Sequence, residues 1–254
     1  MKVTFLGTGT SQGVPIIACH CEVCRSTDPR DKRLRSSILV EHEGKNIVVD
    51  TGPDFRAQML RENVLNLDAI LFTHAHRDHL AGLDDIRGFN YRMKRAIDVY
   101  CEKRVEAAIK KEFHYAFEEP KYPGVPEMTI HQIHLDPFQL FGLHITPIQV
   151  MHFKLPVLGF RFNDFVYITD AKTIEQHELE KIKGCKVLVL NTLRREEHIS
   201  HFTLEEAVQM VEYIKPEKAY FTHISHQLGT HQEVENELPQ HISLAYDGLT
   251  LSFE

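Results

Sequence analysis

The stretch His74-Ala75-His76-Arg77-Asp78-His79 carries the strongest structural signal in this chain. It places three imidazoles and a carboxylate directly after an apolar run, Ala69–Phe72, that predicts a buried strand; Asp78 opens a segment of helical character ending near Ile86. Imidazole and carboxylate together suit zinc, manganese or iron. Because the side chains of Asp78 and His79 diverge, we expect two adjacent ions to share these ligands. The alternative is a histidine-rich surface turn, in a chain with 17 His.

Composition and charge narrow the classes of protein to consider. The 254 residues are enough for one large domain or two small ones. The formal charge of −7 comes with no long basic run, so no nucleic-acid partner is expected. No apolar stretch approaches the roughly 18–20 residues that span a bilayer. The start, Met1–Gly7, runs directly into a predicted strand and lacks a signal-peptide pattern, which predicts a cytoplasmic protein without a membrane partner.

Hydrophobic periodicity predicts strands and helices in both halves of the chain. A hairpin is predicted around Glu43-Gly44-Lys45, and a capping box at Thr203 and Glu206 predicts a helix start, as does the pair Thr230 and Glu233. The predicted strands are Lys2–Leu6, Ser37–His42, Asn46–Val49, Gly142–Gln149, Gly159–Phe162, Val166–Thr169, Lys186–Leu190 and Lys218–Thr222. The predicted helices are Pro53–Glu62, Lys103–Phe117, Ile174–Lys183 and Thr203–Ile214. Antiparallel strands that alternate with helices predict an α+β fold with two packed sheets.

A second group of potential metal ligands lies near the N-terminus. Three of the five Cys fall within Cys19-His20-Cys21-Glu22-Val23-Cys24. In a cytosolic chain, closely spaced cysteines more often bind metal than form disulfides. Reduced thiols without a metal are the alternative. Cys101 and Cys185 stand alone and are predicted to be ordinary small apolar residues.

The pattern His74-x-His76-x-Asp78-His79 resembles the signature of the metallo-β-lactamase superfamily. Three further residues follow later strands in the order that this family shows: His152, Asp170 and His223. Alone, each has another interpretation, such as a structural histidine or a helix cap. The resemblance implies a four-layer αββα sandwich forming a single hydrolase domain over residues 1–254.

The family resemblance also implies how a dinuclear site is divided. One ion would be bound by His74, His76 and His152, the other by Asp78, His79 and His223, with Asp170 bridging both. Asp50 resembles the aspartate behind the family's site, where it would orient a ligand histidine. Its alternative role is to begin the Gly52-Pro53 bend. The ions would be two divalent metals: zinc, manganese or iron.

Within the superfamily, the chain resembles the PhnP-type branch of phosphoribosyl cyclic phosphodiesterases. The resemblance rests on Gly7–Pro15, the cysteine cluster, Thr222–Gln227 and Ala245–Gly248. It implies a structural zinc whose ligands are Cys19, Cys21, Cys24 and His226. His20 is a competing fourth ligand, although it would bind between two neighbouring ligands. Such a closed set of three thiolates and one imidazole leaves no position for water. Relatives in this branch are often dimers, so a homodimer is one expected partner.

The branch implies a metal-dependent phosphodiesterase that cleaves a small cyclic or nucleotide-like phosphodiester by attack of a metal-bridging hydroxide. Its catalytic residues would be Asp78 and His201, the latter contacting phosphate or donating a proton to the leaving group. His198 is the rival of His201, and either could be a simple loop histidine. Lys154 could meet a substrate phosphate or be a solvated lysine. The segment between Arg87 and Gln139 carries no motif that constrains the substrate.

Other functions remain open at the level of sequence. A hydrolase of the same fold could act on a lactone or thioester, although the lactonase and glyoxalase branches lack the early cysteines. A transfer-RNA nuclease usually carries an additional basic arm, which is not evident here. The cysteine site is also similar to that of PqqB-type proteins. A non-catalytic metal-binding protein related to them is therefore the alternative from another class.

Overall fold

The computed structural model describes residues 1–253, which divide into two compact units. The first unit contains Met1–Leu6, Ser37–His134 and the residues from Thr250 onward. The second contains Gly7–Ser36 and Leu135–Leu249. Glu254, the last residue of the predicted domain, lies outside the described residues. The single domain over residues 1–254 stays a prediction.

The secondary structure, in chain order, is as follows. The strands are β1 (Lys2–Gly7), β2 (Ser37–His42), β3 (Lys45–Val49), β4 (Ala69–Leu71), β5 (Ile97–Cys101), β6 (Met128–Gln132), β7 (Phe138–Leu140), β8 (Leu143–His152), β9 (Leu155–Phe162), β10 (Phe165–Tyr167), β11 (Val187–Asn191), β12 (Lys218–Thr222), β13 (Ile242–Leu244) and β14 (Thr250–Ser252). The helices are α1 (Glu22–Arg25), α2 (Phe55–Arg61), α3 (Arg77–Leu80), α4 (Arg87–Met93), α5 (Lys103–Glu112), α6 (Gln176–Ile182), α7 (Leu204–Ile214) and α8 (His231–Glu237). Single 3₁₀ turns lie at Pro29–Asp31, Leu83–Ile86 and His114–Ala116.

The first unit is built on a mixed sheet. Within residues 1–253 this sheet has seven strands in the order β14-β1-β2-β3-β4-β5-β6. The β2–β3 hairpin turns at Glu43 and Gly44, both with positive φ, and the remaining pairs from β3 to β6 are parallel. Phe55 of α2 and Val105 of α5 are fully buried in the same apolar cluster as Ile70 and Val99. Helices therefore cover a sheet whose parallel strands all end at the same edge.

The second unit is built on another mixed sheet. Its seven strands, within the described part of the chain, follow the order β13-β12-β11-β10-β9-β8-β7. Strands β7 to β10 are antiparallel neighbours, whereas β10 to β13 are parallel. The apolar cluster of this unit includes Val166, Leu188, Val211 and Phe221. The parallel strands again end at one edge, where His223 directly follows β12.

The structure corrects parts of the sequence-based assignment. The prediction of antiparallel strands was wrong for half of each sheet. There, a helix returns the chain to the end of the sheet at which the preceding strand began, so the next strand is parallel. The predicted helix Lys103–Phe117 ends at Glu112, since Phe113 leaves the helical region with a φ of −109° and a ψ of 39°. Both predicted capping boxes, at Thr203 and Thr230, are confirmed. Within residues 1–253, no helix is long and apolar enough to cross a membrane.

Candidate metal centres

The first unit holds a cluster of three histidines at the edge where its parallel strands end. The loop after β4 carries His74 and His76, and α3 carries His79. The ring centroid of His74 lies 4.5 Å from that of His76 and 4.3 Å from that of His79. His74 and His79 are buried, whereas His76 is exposed. The carboxylate of Asp78 lies 3.2 Å from His79 Nε2. The structure thus brings all four residues of the first predicted ligand group together.

Asp50 fixes the orientation of two of these imidazoles. It follows β3 directly, and its Oδ2 accepts hydrogen bonds from His79 Nδ1 and from the Thr73 hydroxyl, both at 2.7 Å. The Thr73 oxygen in turn accepts from His74 Nδ1 at 2.9 Å. Because the Nδ1 proton of each ring is committed to these bonds, the lone pair of each Nε2 is the one suited to a metal ion. The predicted role of Asp50 in orienting a histidine therefore has the required hydrogen bond.

Burial and hydrogen bonding have opposite effects on the pKa of the Asp50 carboxyl group. Complete burial raises the pKa of its carboxyl group, while His79 and Thr73 favour the charged form. Asp50 also has a φ of 65°, in the left-handed region that non-glycine residues adopt uncommonly. Asp170 and His223 in the second unit share this feature, with φ values of 56° and 58°. Such backbone strain is concentrated at functional sites in proteins.

We expect Asp50→Asn to weaken metal binding. The amide offers a donor where His79 and Thr73 also donate, so the His79 ring would change tautomer and lose its Nε2 lone pair. Loss of such an outer hydrogen bond lowers metal affinity roughly 10- to 100-fold. The measurement is competition for Zn²⁺ or Mn²⁺ with a chelator of known affinity.

The matched control is Asp68→Asn. Asp68 is also buried, but its partners are Lys45, Asn46, Asn66 and Arg95, none of them a candidate ligand. We expect this variant to lose stability and keep its metal affinity. Equal metal affinities for Asp50→Asn and the parent protein would contradict the proposed role.

The second unit holds the other predicted ligands. Ligand atoms of His152, Asp170 and His201 lie within 4.8 Å of one another. His152 is the last residue of β8, and its Nδ1 donates to the backbone oxygen of Ser200 at 2.9 Å. The His201 ring stacks on that of His223 at 4.8 Å between centroids. His223 Nδ1 lies 3.3 Å from Asp170 Oδ2, so these four residues form one continuous polar cluster.

His201 is the residue of this cluster whose assignment is most open. It is buried, and its Nδ1 has no hydrogen-bond partner within residues 1–253. Burial and the nearby His223 lower the pKa of His201 to about 2, which keeps the ring neutral near pH 7. Its rival His198 lies 5.1 Å away between ring centroids and is half-buried. Burial also lowers the pKa of His198.

The cysteine cluster has the dimensions of a tetrahedral zinc site. His226 Nδ1 lies 3.3 Å from the sulfur atoms of Cys19 and Cys21, and 3.6 Å from that of Cys24. Zinc bond lengths of about 2.3 Å to sulfur and 2.0–2.1 Å to nitrogen give a tetrahedron with S···N edges of about 3.5 Å. The competing ligand His20 is exposed and is not part of the cluster. The structure therefore brings together the four residues that the resemblance implies.

The thiols of this cluster differ in their protonation. The backbone N–H of Cys24 lowers the pKa of Cys21 to about 6, while burial raises the pKa of Cys24 to about 11. Zinc ligands must be thiolates, so a bound ion would have to displace the Cys24 proton. Cys101 and Cys185 are buried single residues, and burial raises the pKa of both thiols, as expected for ordinary apolar positions.

Comparison with known proteins identifies the family. The profile described as "Beta-lactamase superfamily domain" matches residues 45–224. A solved structure described as a new diphosphatase from the PhnP family is 40% identical, with a TM-score of 0.93 over 100% of this chain and 98% of that one. The chain belongs to the PhnP family of the metallo-β-lactamase superfamily. The predicted α+β class and metallo-β-lactamase fold are therefore confirmed.

Other relatives carry different names. An "Octanoyltransferase" of Porphyromonas gingivalis is 42% identical over 98% of this chain and 51% of its own length. A "Coenzyme PQQ synthesis protein B" of Xanthomonas euvesicatoria is 25% identical over 59% of this chain and 52% of its own length. Zn²⁺-bound PqqB from Methylobacterium extorquens, at 19% identity and a TM-score of 0.83, shares the fold. This PhnP-family chain thus spans about half the length of these two curated relatives.

The structure adds positioning residues that the sequence did not reveal. Asn191, at the end of β11, binds both the N–H and the C=O of Ala171 through its side-chain amide, at 2.7 and 2.9 Å. The Thr169 hydroxyl donates to Asp170 at 2.7 Å. Together they hold the strained backbone at Asp170. The only sequence signal was a polar residue at the end of an apolar strand.

Proposed function

We propose that this chain is a metal-dependent phosphodiesterase acting on a small cyclic or nucleotide-like phosphodiester. The observation that carries the proposal is the orientation of the imidazoles of His74, His79 and His152. Each Nδ1 is committed to a fixed acceptor, so each Nε2 is a potential metal ligand. The diphosphatase named among the similar structures supports a substrate in which a phosphorus–oxygen bond is hydrolysed.

The donor set fits two divalent ions. As the family resemblance implies, His74, His76 and His152 would hold one ion, Asp78, His79 and His223 the other, and Asp170 would bridge both. Imidazole and carboxylate ligands suit zinc, manganese and iron. When bound, such ions lower the pKa of water and stabilise negative charge on phosphoryl oxygens. The cluster of Cys19, Cys21, Cys24 and His226 would hold a further, structural zinc.

Other residues of the chain would orient the proposed metal ligands, and one would contact the substrate. Asp50 and Ser200 fix ring tautomers through the hydrogen bonds described above. Asn191 holds the backbone that presents Asp170. His201, neutral and buried in the second cluster, would donate an N–H hydrogen bond to a phosphate oxygen. Hydrogen-bond donors aimed at developing charge are a large contribution to catalysis.

We expect His201→Ala to lower kcat/KM about 10- to 100-fold, the range for losing a hydrogen bond to a charged group. His201→Gln retains an N–H donor and should lose less. Steady-state hydrolysis of an aryl phosphodiester measures both variants, with His198→Ala as the control from the same loop. Equal losses for the Ala and Gln variants would indicate proton donation instead, and a larger loss for His198→Ala would assign the role to His198.

The octanoyltransferase name supports a second candidate, an enzyme acting on a thioester. The named relative is about twice as long as the matched region, since the chain covers 51% of it. The name therefore describes a protein with a second half that this chain does not match. An acyl thioester nevertheless belongs among the substrates to be tested, together with a lactone.

A panel of substrates tests the proposal. The metal-loaded protein is assayed with bis(p-nitrophenyl) phosphate, a ribose cyclic phosphate, an octanoyl thioester and a lactone. We expect hydrolysis of the phosphodiesters with kcat/KM at least about tenfold above that for the carbonyl esters. The reverse order would favour the second candidate. A loaded protein that hydrolyses none of them would favour a metal-binding role.

A further inference from the structure

The turn between β8 and β9 presents an aromatic ring and an ammonium group next to a candidate metal ligand. His152 and Leu155 pair across the hairpin, so Phe153 and Lys154 form a two-residue turn. Phe153 is 51% exposed, and Lys154 Nζ lies 5.3 Å from the centroid of its ring. Phenylalanine has no polar group of its own, so an exposed ring of this kind leaves an apolar face open to a ligand. We name this pair the aromatic turn.

Turn geometry does not account for the phenylalanine. Phe153 has a φ of 56°, and two-residue turns with a positive φ at this position favour glycine. The β9–β10 turn has Asn163 at the same position, with a φ of 53°, and asparagine tolerates this conformation. Phe141, in the β7–β8 turn, also has a positive φ but is partly buried. The turn conformation therefore gives no reason for a phenylalanine at position 153.

The aromatic turn directly follows His152, a member of the second metal-ligand cluster, in the chain. The adjacent His152 binds the backbone of Ser200, and its ring centroid lies 4.5 Å from that of His201. The neighbouring Ile199 is 65% exposed, so an apolar side chain flanks the cluster on that loop as well. A ring face stacks on planar bases, and a lysine ammonium binds phosphate as a point charge.

We propose that Phe153 and Lys154 determine specificity for phosphodiesters that carry a nucleobase. Phe153 stacks on the base, and Lys154 binds a phosphate oxygen that does not react. This inference rests on the proposed phosphodiesterase function and narrows its substrate to nucleotides. Both residues are specificity-determining rather than part of bond cleavage.

The test compares Phe153→Gly with the parent protein on two substrates, adenosine 2′,3′-cyclic phosphate and a ribose cyclic phosphate without a base. We expect the ratio of the two kcat/KM values to fall roughly tenfold, mainly through KM for the adenosine substrate. Because glycine accepts the positive φ, the Tm should not fall.

Tyr91→Ala is the matched control, since Tyr91 is 80% exposed with Lys94 Nζ 4.0 Å from its ring centroid. Its substrate ratio should equal that of the parent.

The results for Phe153→Gly distinguish base recognition from a structural role. An unchanged ratio for Phe153→Gly, or a Tm several degrees lower, would overturn it in favour of no role or a structural role. If the parent protein hydrolyses neither substrate, the phosphodiesterase proposal fails independently. Calorimetric titration of the metal-loaded proteins with AMP then tests the aromatic turn alone. Binding weakened roughly tenfold by Phe153→Gly supports base recognition, and equal binding contradicts it.

Discussion

Replacing His76 with Ala should abolish turnover and reduce the metal content of the protein. His76 is exposed at the end of the loop after β4, so its replacement removes a proposed metal ligand without opening a cavity in the core. The ion that His76 would help to hold would supply several kcal/mol of charge stabilisation. We expect kcat/KM for an aryl phosphodiester to fall by roughly a thousandfold or more, with an unchanged far-UV circular dichroism spectrum.

His114→Ala is the matched control for this prediction. His114 also belongs to the first unit, and its side chain is 66% exposed in a 3₁₀ turn without candidate ligands. Metal content, by elemental analysis after gel filtration, and turnover should both equal those of the parent. Retained turnover in His76→Ala would refute the proposed ligand set.

Replacing Cys21 with Ser should remove the zinc of the cysteine cluster and lower stability strongly. Structural zinc sites contribute apparent binding free energies of about 10–16 kcal/mol in small zinc domains. We expect the Tm to fall by roughly 10 °C or more, measured by calorimetry alongside zinc content. Cys185→Ala, at a buried cysteine outside the cluster, should keep its zinc and lose only packing energy.

The same variant should also impair catalysis. His226 is three residues after His223, and the segment between them is fixed by Ile224 N–H to Thr8 and by Ser225 N–H to Leu193. Without a zinc ion to hold His226, the position of His223 would become less defined. Normal activity together with normal zinc content in Cys21→Ser would contradict the structural role of the site.

The sequence predicted correctly those strands and helices whose ends are marked by turn or capping residues. Gly44 set the β2–β3 turn, and the capping boxes at Thr203 and Thr230 set two helix starts. The predicted antiparallel direction was wrong for the strands that a helix connects, because the local sequence pattern does not encode strand direction. Strands β5 and β6 were missed because they lie in the motif-free segment and pair only with partners distant in sequence.

For the candidate site, residue type, spacing and the family resemblance suggested candidate ligands, but not the residues that orient them. The histidines could be recognised from the sequence because several of them follow predicted strands directly. Thr73, Ser200 and Asn191 act through hydrogen bonds that exist only after folding. Phe153 was not recognised either, because its exposure and its positive φ are properties of the folded turn.

If bound metal ions make this chain a phosphodiesterase, as we propose, a metal titration tests that role most directly. Protein stripped of metal is titrated with Zn²⁺ or Mn²⁺ while bound metal and hydrolysis of bis(p-nitrophenyl) phosphate are measured together. We predict that the cysteine cluster fills first without activity, and that hydrolysis appears as two further ions bind. Full loading without hydrolysis of the phosphodiester, or equal hydrolysis by the metal-free protein, would contradict the account.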